Sequence, residues 1–249
     1  MTEKIYLIIT AEGELSYCIY DQADHRVIHI QISRFESVKL SDLFNAYDQI
    51  VLIYAGSCFT LVPSALFDDS LTYDYLKLSH SIDPDATVLY DRISQADICD
   101  IYALPSAIYN IIKQYKDKVK LRHNAGILLQ TITGYADKDS EAVFVNKGEN
   151  KMEILVFNGK APLLCERFNF TSPTEFMYFI LNTYKQLNLS LTRTHLFLSG
   201  NIVRESEEYK LAVKHIAKTM FAENKHGLVL PHGMEFSRHF TLLSALLCE

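Results

Sequence analysis

Residues 142–170 read AVFVNKGENKMEILVFNGKAPLLCERFNF, and the reading of this stretch decides the fold. Three short apolar or alternating runs, Ala142–Val145, Met152–Phe157 and Leu163–Phe170, are separated by the turn residues Asn146 to Lys151 and by Asn158-Gly159. Runs of this length between Asn/Gly turns predict three antiparallel strands in a meander.

A second meander opens the chain. Ile5–Thr10 is nearly continuous in apolar residues, which predicts burial on both faces. Leu15–Asp21 and Arg26–Ser33 follow as strands, with turns at Ala11-Glu12-Gly13-Glu14 and Gln22-Ala23-Asp24. After each meander the pattern predicts the same order: helix, strand ending at glycine, helix, strand, helix. Ile50–Gly56 corresponds to Leu196–Gly200, and Ile101–Pro105 is matched with Gly227–Pro231. In the second half Ser172-Pro173-Thr174-Glu175 is a capping box with Pro at N1 and predicts a helix to about Leu187. That helix is apolar almost all round, which predicts burial on two sides, with homodimerisation as a competing use. Glu205–Phe221 reads as one amphipathic helix, Leu228–Leu230 as a strand, and Glu235–Leu247 as the last helix. The order βββαβαβα thus occurs twice, over residues 1–136 and 137–249. It predicts an α/β protein with two mixed five-stranded sheets, the antiparallel strands on one side and the helix-linked parallel strands on the other.

Composition narrows the functional classes. Hydrophobic residues make up 49% of the 249 and charged residues 22%, enough apolar surface for substantial cores. The net charge of −6 argues against nucleic acid, because phosphate neutralisation needs a basic face. The densest basic run, Lys113 to Lys120, is interrupted by Asp117 and reads as a solvated helix end. The five cysteines, Cys18, Cys58, Cys99, Cys165 and Cys248, form no C-x-x-C pair and lie mostly in apolar runs, which predicts a reducing cytoplasm. No stretch has the length and polarity of a membrane span, and Met1-Thr2-Glu3-Lys4 does not open a signal peptide.

On the duplicated βββαβαβα order the chain resembles the actin-like ATPase superfamily, whose halves are ribonuclease H-like. Within it the chain is similar to the PilM and FtsA branch and to uncharacterised bacterial proteins of this fold. The resemblance implies a phosphate loop in the first turn of each meander, Asp-x-Gly followed by small hydroxyl residues. Backbone N–H groups there cradle phosphate and carboxylates organise Mg²⁺. Here the first loop reads Thr10-Ala11-Glu12-Gly13 and the second Asn146-Lys147-Gly148-Glu149. The Asp position carries Thr10 in one and Asn146 in the other, and Glu12 and Glu149 add charge that repels a triphosphate. The adenosine motif is reduced to Ser199-Gly200-Asn201. The expectation is therefore a non-catalytic, actin-like interaction or scaffold module, a pseudo-ATPase with an unidentified protein partner, no catalytic residues and no cofactor. The alternative is a divergent ATP/Mg-binding protein or ATPase using an interdomain cleft. Its nucleotide-binding candidates are Gly13, Lys147, Gly148, Gly200 and Asn201.

Other patterns carry less. His25 and His29 lack a third metal ligand nearby, and His226, His232 and His239 match no ligand spacing. Gly56-Ser57-Cys58 lacks G-x-S-x-G and reads as a turn. A ribonuclease H-like nuclease would need an Asp in the first strand, which Thr10 does not provide.

Overall fold

The computed structural model describes residues 3–10, 14–34, 39–133, 135, 140–225 and 227–248. Three antiparallel strands open the chain: β1 (Glu3–Thr10), β2 (Glu14–Asp21) and β3 (Arg26–Arg34). Helix α1 (Leu40–Ala46) leads to β4 (Gln49–Ala55), which runs parallel to β1 with Ile5 beside Ile50 and Leu7 beside Leu52. Every residue of β4 after Gln49 is buried, as a strand covered on both faces requires.

A separate three-stranded sheet is inserted next. Its strands are β5 (Phe59–Pro63), β6 (Thr87–Ile93) and β7 (Ile98–Leu104), in the order β5-β7-β6, with α2 (Thr72–Lys77) between the first two. Leu76 of α2 packs into a small core with Val62, Ile101 and Ala103. Helix α3 (Ser106–Gln114) returns the chain to β8 (Val119–His123), parallel to β4, and α4 (Asn124–Ile132) follows. The first main sheet therefore has the order β3-β2-β1-β4-β8.

The second half repeats the winding with β9 (Glu141–Lys147), β10 (Lys151–Asn158), β11 (Ala161–Asn169), α5 (Pro173–Gln186), β12 (His195–Gly200), α6 (Glu207–His215), β13 (Thr219–Phe221) and α7 (Phe240–Ala245). Its sheet has the order β11-β10-β9-β12-β13, the same as the first. Side chains of β9, β10 and β12 meet those of α5 and α6 in one core that includes Val143, Val145, Ile154, Phe176, Ile180, Leu198 and Ile216. Helix α5 begins where its capping box predicts: Ser172 Oγ accepts from Glu175 N, and Glu175 reaches back to Thr171 N. One side of α5 enters that core, and Phe179 stacks on Phe168 of β11. Tyr178 projects to solvent, so the helix is covered on two sides but not all round.

Four expectations are corrected. The predicted helix over Glu205–Phe221 stops at His215, and Thr219–Phe221 forms the fifth strand of the second sheet. Thr219, Met220 and Phe221 take three parallel ladder positions beside Leu196–Leu198. The matching of Ile101–Pro105 with Gly227–Pro231 also fails. Ile98–Leu104 belongs to the inserted sheet, and the true counterpart of β13 is β8. Leu228–Leu230 is no sheet strand of its own: Val229 makes an isolated parallel bridge to Arg26. The last helix is short, with a 3-10 turn over Phe236–His239 before α7.

The chain forms two compact units. One comprises residues 1–130, 227–234 and 242–249, and the other residues 131–226 and 235–241.

Candidate functional site

The end of β9 and the end of β12 lie side by side, with Gly200 opposite Lys147 in parallel register. The approach is close. A Cβ on Gly200 would sit 2.1 Å from the Lys147 carbonyl oxygen, and Gly200 has φ +83°, a backbone region that favours glycine. Asn201 N donates to Lys147 O at 2.6 Å, and Gly148 N donates to Lys151 O at 2.8 Å. Four of the predicted nucleotide-loop residues, Lys147, Gly148, Gly200 and Asn201, are thus brought together. The fifth, Gly13, lies outside the described residues, as does Glu12.

Lys147 is buried rather than directed at solvent. Its ammonium lies 3.3 Å from Glu208 Oε1, donates to Asn201 O at 3.1 Å and Gly148 O at 3.4 Å, and sits 5.3 Å from the centre of the Phe170 ring. A buried ammonium is stable only when paired and hydrogen-bonded, and here it is both.

Asn146, where the resemblance implies an Asp, is likewise engaged. Its amide nitrogen donates to Glu153 Oε2 at 2.9 Å and to Thr241 Oγ1 at 3.2 Å, and its oxygen accepts from Ser199 Oγ at 3.2 Å. Glu153 in turn pairs with Arg167 across the hairpin. A neutral amide with its polar atoms committed offers a divalent cation little, and Lys147 is neutralised by Glu208 before any phosphate arrives.

Glu149 lies beside this cluster and lines a shallow groove of about 530 Å³ with Asn150, Lys151, Phe170, Ser172 and Glu208. Three partners were not expected from sequence. Glu153 could have been found from hairpin register, since it stands opposite Asn146. Glu208 reads in sequence as a first-turn charge on α6, which it also is. Nothing in the sequence places Phe170 under the ammonium.

The other candidates have local roles. His25 Nδ1 and Tyr20 Oη are hydrogen-bonded at 2.6 Å, and His29 packs against Tyr17. Gly56 allows close contact with the Tyr54 ring, 2.3 Å from where a Cβ would lie. His226 lies outside the described residues. Among the described residues no group of three His, Cys, Asp or Glu is arranged to hold a metal ion.

The first unit holds one polar cluster that the sequence does not announce. His123 Nδ1 lies 2.8 Å from Asp100 Oδ2, both residues are buried, and the Tyr102 ring stacks on the imidazole at 4.6 Å. His123 N donates to Asp91 Oδ2 at 2.9 Å. Burial pushes the Asp91 carboxyl above its ordinary value, against the pull of that hydrogen bond and of the Arg122 charge.

Two mixed five-stranded sheets wound alike, each opening with an antiparallel meander, define a protein of the actin-like ATPase fold. The chain belongs to the family described as protein of unknown function (DUF3822), whose model matches residues 2–219. A Bacteroides thetaiotaomicron protein with actin-like ATPase fold and unknown function is similar over 100% of this chain and 96% of its own, at TM-score 0.81 and 15% identity. PilM in the PilM-PilN type IV pilus biogenesis complex is similar over 98% of this chain and 97% of its own, at TM-score 0.68 and 8% identity. The cytoplasmic domain of EpsL, an inner-membrane component of the Vibrio cholerae type II secretion system, covers 99% of this chain and 96% of its own at TM-score 0.52 and 13% identity. No curated protein matches the sequence. Among the described residues no helix is long and apolar enough to cross a membrane.

Proposed function

We propose that this chain is a non-catalytic protein of actin-like fold that acts by binding a protein partner in the cytoplasm. The observation that carries the reading is Lys147. At the second phosphate-loop position its ammonium is already bound by Glu208 and two backbone carbonyls, while Asn146 replaces the metal-anchoring carboxylate. In this reading Lys147, Gly148, Gly200 and Asn201 are structural residues that close the loop. The five free cysteines support a reducing compartment. A relative in fold, PilM, is solved as a complex with PilN, which supports protein partnership as a use of this architecture.

Titration calorimetry and thermal melting with Mg-ATP test the proposal. The expected outcome is no saturable heat and no rise in Tm at millimolar nucleotide. A saturable Kd in the micromolar range would overturn it in favour of a divergent ATP-binding protein, because a ligand at 100 Kd stabilises by about 2.7 kcal/mol.

A further inference from the structure

The inserted sheet carries an uncovered apolar surface. Helix α2 turns Leu76 into the small core beneath it, so Leu71, Asp74 and Leu78, at i, i+3 and i+7, stand on the outward side. Leu66 and Leu78 are 69% and 87% exposed, and Leu71, Tyr73 and Tyr90 are exposed as well. Side-chain contacts join these residues into one patch. Tyr75 Oη donates to Leu66 O at 2.6 Å, and the Phe67 ring centre lies 6.2 Å from that of Tyr75 and 4.8 Å from that of Tyr90. A single exposed leucine is ordinary, but a contiguous apolar patch marks a contact surface.

The same segment carries one sign of charge. Asp68, Asp69, Asp74, Asp83 and Asp85 are all exposed, and Lys77 is the one lysine or arginine between residues 66 and 85. Among the described residues none of the five carboxylates is in an ion pair. The rings of the patch already hold one cation: the Arg92 guanidinium lies 4.8 Å from the Phe67 ring centre and 5.6 Å from that of Tyr90.

We infer that the face formed by Leu66, Leu71, Tyr75, Leu78 and Tyr90 docks a basic amphipathic helix of a partner protein. Leu71, Tyr75 and Leu78 themselves repeat at i, i+4 and i+7, so a second helix can lay its apolar stripe along theirs. Its flanking lysines and arginines then meet Asp68, Asp69 and Asp74, which supply the selectivity and speed the encounter. The same carboxylates repel an anionic membrane surface. A second copy of this chain fits less well. Its helix α6 offers Lys210 and Lys214 with Val213 as the exposed large apolar side chain, but begins with Glu207 and Glu208. This inference gives the interaction reading a location and rests on it.

The test is a displayed library of random segments about five helical turns long, selected on the full chain. Enriched segments should place apolar residues at helical spacing among an excess of Lys and Arg, and should slow amide hydrogen exchange across residues 66–78. Leu66→Glu and Leu78→Glu, both at exposed positions that preserve the melting curve, should each weaken them about tenfold or more. Asp69→Asn with Asp74→Asn should weaken them too and remove the basic excess from a repeat selection. The inference is overturned if nothing is enriched, if the enriched segments lack that excess, if protection appears elsewhere, or if Leu78→Glu binds as well as wild type. It is equally overturned if the chain alone self-associates, or binds phosphatidylserine vesicles, and Leu78→Glu abolishes that. Nucleotide binding is measured separately, so a Mg-ATP signal would sink the non-catalytic reading whatever the selection returns, and an empty selection would sink only the docking face.

Discussion

Lys147 and Gly200 lie opposite each other where β9 and β12 end, Lys147 held by Glu208 and Gly200 by close approach to the Lys147 carbonyl. Lys147→Ala leaves Glu208 largely buried without its counter-ion, and breaking such a pair costs about 3–5 kcal/mol. Urea unfolding should show that loss as a lower midpoint with unchanged slope. If the pair serves only the fold, Lys147→Met with Glu208→Leu should recover most of it, since apolar replacement of a buried pair is often neutral or better. Failure of the double variant to recover, with the fold intact by circular dichroism, would point to a ligand role. Gly200→Ala meets both a positive φ and the Lys147 carbonyl, so it should cost more than about 3 kcal/mol, measured the same way. Asp91 carries a pH dependence. Its folded value lies above the unfolded value of about 3.9, so the folded state holds the proton more tightly. Stability should fall as pH rises from about 4 through the raised folded value. Asp91→Asn keeps an acceptor for His123 N and removes that fall, which melting curves across pH would read as a flatter profile. The identities of these residues were visible in sequence, Asn146 and Lys147 among them as residues of the second loop. Their partners were not, because Glu208 and Thr241 reach the loop from 61 and more residues away, through folding that no local pattern encodes.

Among the elements, the strongest sequence signals were local and held. The second meander forms as three strands, and the capping box over Ser172–Glu175 starts α5. Ser172→Ala should therefore cost about 1 kcal/mol, seen as a lower urea midpoint and faster amide exchange in the first turn of α5. The misread elements lie where local pattern and tertiary demand part. Tyr209, Ala212, Ile216, Met220 and Phe221 keep a helical spacing, yet the sheet needs a strand beside β12, and a three-residue pairing takes Thr219–Phe221 out of the helix. Likewise Leu228–Leu230 has the composition of a strand, yet it contributes an isolated bridge, Val229 to Arg26, rather than a ladder. The inserted sheet obscured the duplication in the same way. Its strand β7 ends at Leu104 before a proline, as Leu228–Leu230 does, and that shared punctuation suggested a correspondence that register does not support.

At the scale of the whole molecule, the duplication was legible because both halves repeat the same strand and helix order, but their boundaries in space do not follow one cut in sequence. Residues 227–234 and 242–249 belong to the unit built mainly from residues 1–130. Val229 pairs with the start of β3, and Gln130 Nε2 and Ile127 O both contact Cys248. Leu242, Leu243 and Leu246 are buried, and full burial of such side chains contributes about 1.5–3 kcal/mol each. Three of them amount to a large share of the 5–15 kcal/mol that holds a typical domain together. A chain ending at Ala222 keeps all ten strands of the two main sheets, yet it loses these residues and both hydrogen bonds at Val229. It should therefore fail to hold the first unit: exchange protection in β1, β2 and β4 should fall by orders of magnitude relative to the full chain. If those strands kept native protection in the shortened chain, the returning segments would be ornament on a unit that residues 1–130 build alone.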